Sequence, residues 1–279
     1  MPKLIDVHTH VQFAAYADDM DAVIKRSLET GVWLVNVGTQ KDTSAKAVEV
    51  AEKYKEGVYA TIGLHPIHTE KSYHDVKELG GGEEAKEFTS RGEDFDYEYY
   101  KKLGGSAKVL AVGECGLDYY RLSEDTKKKQ AEVFEAQISL AAELGKPLMI
   151  HCRHAFADLI DILKANEAKK LKADPPGITH FFTGTVEDVK ALINLGFYFS
   201  FGGVTTFTRD YDEVLKAVTL ERVLLETDAP YVTPAPFRGK RNEPSYVPHI
   251  AEAIAKVFGV LPDVVSEKTT ENARKVLRI

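Results

Sequence analysis

The chain has little sulfur, no long apolar stretch and no surplus of positive charge, and each shortage removes a class of protein. Its two cysteines, Cys115 and Cys152, lie far apart with no CxxC spacing. That excludes a disulfide framework and a cysteine-held zinc knot, and it predicts free buried thiols. No apolar run approaches the roughly 18–20 residues that a membrane span requires. The opening MPKLIDVHTH lacks a basic stretch followed by an apolar signal core, so a cytoplasmic protein is expected. A formal charge of −7 argues against a broad basic surface gripping duplex DNA through many phosphates. Contact with nucleic acid would have to be local, and bound divalent ions would supply positive charge where it matters.

Solenoid repeats and low-complexity tracts are missing too. What is present, 279 residues with 44% hydrophobic and 28% charged, suits one globular domain over 1–279 and is an ordinary length for a (β/α)8 barrel. Eight short apolar runs alternate with amphipathic stretches: Leu4 to His8, Trp33 to Val37, Val58 to Leu64, Val109 to Glu114, Leu148 to Cys152, Ile178 to Phe182, Phe197 to Phe201 and Arg222 to Thr227. Continuous apolar runs of this kind mark parallel strands buried on both faces. Helices are expected over Asp18 to Glu29, Ser44 to Tyr54, Glu124 to Leu144 and Val186 to Leu195, with Gly145, Gly196 and Gly259 as closing glycines. A terminal helix over Asp263 to Leu277 is expected on the barrel exterior. Tyr73 to Ser106, with Gly80, Gly81, Gly82 and the aromatics from Phe95 to Tyr100, breaks the rhythm. It reads as a lengthened loop ending in a helix, a surface insertion rather than a substrate lid.

Barrel enzymes place their chemistry where the strands end. Here the first run ends in Asp6-Val7-His8-Thr9-His10, and strand alternation turns His8 and His10 the same way, about 7 Å apart along the chain. The third run ends at His65, the fourth at Glu114, the fifth at His151, the sixth at His180 and the eighth at Asp228. A lone strand-end histidine is more often structural; six such ends converging on one mouth favour a metal site. His68, His74 and His249 fall elsewhere, and His154 lies just past the fifth end. Imidazole with carboxylate suits zinc, manganese, iron or magnesium. By the same parity Arg153 points with His151 toward an anionic oxygen, Glu226 supports from beside Asp228, and Cys115 and Cys152 face the helix layer. The loop after the eighth strand carries Arg238, Lys240 and Arg241, a candidate phosphate clamp on an acidic protein.

A phosphodiester repels hydroxide, and two cations would neutralise it, acidify a water and stabilise the leaving alkoxide. Glu114 is the best bridge between them, and Asp228 can both ligate and orient the attacking water. The chain resembles the TatD family of metal-dependent deoxyribonucleases over nearly its whole length. The motifs are DVHTH at 6–10, GLHP at 63–66, VGECGLDY at 112–119, IHCRHA at 150–155, HFFTG at 180–184, LLETDAPYVTP at 224–234, RGKRNEP at 238–244 and TTENARKVL at 269–277. The resemblance implies a binuclear site in which His8, His10 and Asp228 bind one cation, His151 and His180 the other, and Glu114 both. It places His65 and Arg153 near the scissile phosphate. It further implies hydrolysis of single-stranded DNA ends, 3′ to 5′, supported by magnesium, manganese or zinc. Phe181, where the family often has cysteine, Cys115, where it has an aliphatic residue, and the longer insertion before Ala107 depart from the pattern. Two other readings use the same residues: a metal-dependent ester or amide hydrolase, such as a deacylase of aminoacylated tRNA, and a binder without turnover. No obligate protein partner and no membrane attachment are expected.

Overall fold

The structure is a computed structural model that describes residues 2–71, 73, 74, 88–120, 124–167, 171 and 173–279. Eight parallel strands run in chain order around the barrel: β1 (Leu4–Thr9), β2 (Val32–Val37), β3 (Val58–Ile62), β4 (Val109–Asp118), β5 (Leu148–Arg153), β6 (Gly177–Thr179), β7 (Tyr198–Phe201) and β8 (Val223–Leu225). The ring closes through Asp228 N–H to His8 O at 2.9 Å and His10 N–H to Ala229 O at 2.8 Å. The helices are α1 (Met20–Glu29), α2 (Lys41–Glu52), α3 (Tyr97–Leu103), α4 (Glu124–Leu144), α5 (Phe156–Glu167), α6 (Val186–Asn194), α7 (Asp212–Val218), α8 (Val247–Phe258) and α9 (Pro262–Leu277). None of the described helices is long and apolar enough to cross a membrane.

Two apolar layers follow from strand alternation. One lies between the sheet and the helices and includes Val23, Val48, Ile62, Phe134, Ile138 and Leu159. Cys115 and Cys152 are buried in this layer as free thiols, on the side that parity predicts. The other fills the barrel lumen with Ile5, Val7, Val35, Ala111, Met149, Ile178, Tyr198 and Leu224. Ala273, Val276 and Leu277 of α9 join this second layer. Asn272 of α9 donates to the carbonyls of Leu220 and Val223 at 2.9 Å each, beside the start of β8. α9 therefore plugs the N-terminal end of the lumen instead of lying along the outer wall. Its apolar stripe covers lumen side chains that would otherwise meet water, at about 25 cal/mol per Å².

Several strand ends differ from the sequence reading, and three of them bear on the site. β4 runs on to Asp118, so Glu114 sits within it; β6 and β8 stop early, leaving His180 and Asp228 just beyond. Just beyond the two short ones, Phe181 (φ 43°) and Asp228 (φ 53°) enter the left-handed region. The insertion does end in a helix, α3. Its Tyr100 is fully buried, Phe95 stacks on it at 4.9 Å, and Tyr97 donates to Glu143 of α4 at 2.8 Å. The aromatic run thus packs against the barrel's outer layer. Residues 75–87, with the three glycines, lie outside the described residues.

Candidate metal centre

Strand ends deliver the donors one by one. β1 brings His8 and His10, and its pairing with β2 slips between Asp6 and Thr9, an irregularity that re-aims side chains. His10 donates from Nδ1 to Val37 O at 2.8 Å, which leaves the Nε2 lone pair facing inward. His8 Nε2 lies 3.2 Å from His10 Nε2. Asp228 Oδ1 is 3.4 Å from His10 Nε2 and 3.7 Å from His8 Nε2. His8 also stacks on His180, ring centroids 3.7 Å apart.

Glu114 stands in the middle and divides the histidines between its two oxygens. Oε2 faces His8 Nε2 at 3.5 Å and His10 Nε2 at 3.9 Å. Oε1 faces His180 Nε2 at 2.8 Å, His65 Nε2 at 3.0 Å and His151 Nδ1 at 3.1 Å. The five rings and the carboxylates of Glu114, Asp228 and Glu226, drawn from β1 and the residue after it, β4, β5 and the segments after β3, β6 and β8, meet in one buried cluster. Three groups of donor atoms within it, His8–His10–Glu114, His8–His180–Glu226 and His65–Glu114–His151, each lie within 4.8 Å. Nitrogen and carboxylate oxygen at this spacing, without sulfur, fit divalent cations of the zinc, manganese or magnesium kind.

Electrostatics follow from that crowding. Burial alone would raise Glu114, yet His65, His180 and His8 hold it well below the usual carboxylate range. Asp228 is likewise lowered against burial, by His10 and His8 beside it. Burial pushes His65 down to about 4, so it is neutral near pH 7. Its Nδ1 accepts from Ile67 N–H at 3.2 Å, so Nε2 carries the hydrogen and donates toward Glu114. His180 and His151 go the other way: burial lowers them, but Glu114 with Glu226 or Asp118 outweighs it and raises both.

Behind the donors stand acids. Glu226 lies 3.6 Å from His180 Nδ1 and accepts from Ser200 Oγ at 2.6 Å and Phe181 N–H at 2.8 Å. Asp118, whose role the strand-end reading passed over, lies with Oδ2 2.8 Å from His151 Nε2. Its signal was its place four residues after Glu114, where alternation along one continuous strand returns a side chain to the same face. At the rim, Arg153 stacks its guanidinium 3.7 Å over Tyr120. Arg238 covers Phe207 at 4.1 Å and donates to Thr233 O at 2.8 Å, and Lys240 is exposed. Arg241 is engaged elsewhere: it forks onto Asp19 at 2.9 and 2.6 Å, donates to Ala15 O at 2.7 Å and sits 4.4 Å over Tyr16. That contact ties the loop after β8 to the start of α1.

A barrel whose mouth gathers histidines and carboxylates around one central glutamate is the framework of a metal-dependent hydrolase. A family model described as TatD related DNase matches residues 5–278. The chain belongs to this TatD family of metal-dependent hydrolases. It is 38% identical to an uncharacterized metal-dependent hydrolase, YabD, of Bacillus subtilis, with 99% of each chain covered. It is 32% identical to a 3′–5′ ssDNA/RNA exonuclease, TatD, of Yersinia pseudotuberculosis, covering 99% of this chain and 100% of that one. Among solved structures it resembles YjjV, a TatD homologue from Escherichia coli K12, with TM-score 0.82, 25% identity and coverage of 99% and 98%.

Proposed function

We propose that this hydrolase is a 3′–5′ exonuclease that cleaves phosphodiester bonds at single-stranded DNA ends, working with two divalent cations. The observation that carries the reading is the two-sided environment of Glu114, with His8 and His10 on one oxygen and His65, His151 and His180 on the other. His8, His10 and Asp228 would hold one cation, His151 and His180 the second, and Glu114 both. Such a pair supplies charge neutralisation at the phosphate and an acidified water.

The chain's own groups do the rest. Asp228 is the more open of the two carboxylates, its side chain 18% exposed against 5% for Glu114. Held ionised by His10, it accepts the proton of the attacking water at its Oδ atoms. His65 is neutral and presents an Nε2–H donor, suited to a phosphate oxygen once substrate competes with Glu114 for it. Arg153, Arg238 and Lys240 line the rim with positive charge, and Arg241 holds the loop that carries two of them in place. The relatives named as ssDNA/RNA exonucleases support a nucleic-acid substrate.

The test is a time course on 3′- and 5′-labelled single-stranded DNA with Mg²⁺, Mn²⁺ or Zn²⁺, comparing wild type with Glu114→Ala. Metal-dependent shortening from the 3′ end that is lost in the variant is the expected result. DNA left intact by a protein that binds cations overturns the nuclease reading and directs the search to ester and amide substrates.

A further inference from the structure

We infer that Asp118 is a positioning residue of the metal centre, holding a hydrogen on His151 Nε2 so that Nδ1, on the Glu114 side, is the atom left for a cation. The inference rests on the chain's metal dependence and not on which bond it cuts. Asp118 is buried, 4% exposed, and each of its carboxylate oxygens has its own task. Oδ1 accepts from Tyr120 N–H at 2.9 Å, and Oδ2 faces His151 Nε2 at 2.8 Å. A carboxylate only accepts, so a ring hydrogen belongs on Nε2, and a cation seated on the Glu114 side would take Nδ1 as its ligand atom. That Nδ1 is the atom 3.1 Å from Glu114 Oε1, on the side shared with His65 and His180.

Asp118 is itself held from behind. The side chain of Gln130, on α4, clamps its peptide in both directions, with Asp118 N–H donating to Gln130 Oε1 at 2.8 Å and Gln130 Nε2 donating to Asp118 O at 2.9 Å. Seven residues on, and so on the same face of α4, Gln137 repeats the clamp on Leu64, at 2.9 Å from its N–H and 3.0 Å to its carbonyl. Leu64 immediately precedes His65. One helix therefore fixes the backbone beneath two neighbouring site residues, and both glutamines are buried with all four amide contacts made to backbone. A buried polar clamp of this kind holds its register because losing either bond leaves a peptide group unpaired.

The chemistry gives a ranking of variants that a packing role does not. In Asp118→Asn the side chain keeps its shape but offers a single acceptor. If that oxygen keeps the Tyr120 N–H, the amide NH₂ faces His151 Nε2, which must then accept. The proton moves to Nδ1, where a cation needs a lone pair. The alternative orientation breaks the Tyr120 bond. Asp118→Ala leaves the ring free to adopt either tautomer.

The experiment is calorimetric titration of the full chain with Mn²⁺ and Zn²⁺ for wild type, Asp118→Asn and Asp118→Ala, with circular dichroism to confirm folding. We expect Asp118→Asn to lose about 10–100-fold in cation affinity, at least as much as Asp118→Ala. Wild-type affinity in Asp118→Asn, with Asp118→Ala the worse of the two, assigns the residue to packing and overturns the inference. Should the variants fail to fold, ¹⁵N shifts of His151 in the Zn²⁺-loaded wild type decide. Metal on Nδ1 with hydrogen on Nε2 is expected, and the reverse refutes it.

Discussion

The two ends of the barrel lumen are built from the same eight strands and solve opposite problems. At the N-terminal end the strands turn in aliphatic side chains such as Ile5 and Leu224, and α9 covers them with Ala273, Val276 and Leu277. At the C-terminal end the same strands, or the residues just beyond them, present His8, Glu114, His151, His180 and Glu226, all packed away from bulk water apart from His151, which is half-buried. Burial of apolar area stabilises the first end, and burial of charge costs free energy at the second unless each group is paired. Four of the six described non-glycine residues with positive φ lie at the same end: His154, Phe181, Asp228 and Val232, all in the loops after β5, β6 and β8, have φ between 43° and 55°. One end holds the fold, and the other spends part of that stability on a reactive constellation.

Exchanging charge for nothing at the mouth should give the largest effect. Glu114→Ala removes the group that both histidine sets face, so turnover of any substrate should fall at least about 10²–10³-fold. The fold should persist in circular dichroism, since the lumen plug is untouched. Near wild-type turnover would dissolve the contrast between the two ends.

The complementary cut is at the plug. Leu277→Ala should cost about 2–5 kcal/mol in denaturant unfolding, through lost burial and the cavity left behind. Cation affinity per folded molecule should be unchanged, and a parallel loss of affinity would show that the two ends are coupled.

Acidity sharpens the contrast next. His180 and His151 are raised in the folded chain, so their contribution to stability is complete below the ordinary value of 6.5 and is lost as pH rises through the raised values. On the proposed reading, cations held there would have to displace those protons. Between about pH 6 and about pH 9 the chelated protein should lose melting temperature, whereas the Zn²⁺-loaded protein should not, and cation affinity should climb with release of protons into weakly buffered solution. Asp118, drawn down to about 2 by His151 against its burial, keeps its contribution at every pH above the ordinary 3.8 and loses it only on stronger acidification. A chelated melting temperature that rises from pH 6 to 9 would contradict these directions.

Smallest is the effect at the rim. Reversing Arg238 and Lys240 to Glu should raise KM for single-stranded DNA about two- to fivefold, with kcat nearly constant and a shallower salt dependence. An unchanged KM would remove the rim from substrate binding.

Much of this was legible along the chain. Parallel strands buried on both faces read as apolar runs, and strand parity gave both the inward aim of His151 and the outward burial of Cys115 and Cys152. Other features were not legible, for physical reasons. Arg241 looks like its neighbours Arg238 and Lys240 in a basic loop, but whether a guanidinium is available depends on where Asp19 and Tyr16 lie in space, more than two hundred residues away in sequence. The left-handed backbone at Phe181 and Asp228, just past the early ends of β6 and β8, follows from how these segments pack and not from any local pattern along the chain.

The sequence by itself determined the barrel and which histidines and acids stand at its mouth, because periodicity and residue type are local properties that can be read along the chain. Only the tertiary structure decided which oxygen of Glu114 meets which histidine, which ring nitrogen each imidazole turns inward, and that Gln130 and Gln137 hold the backbone beneath them. Those are relations between segments far apart in the chain, set by packing and by the pairing of buried polar groups, and no reading along one strand contains them.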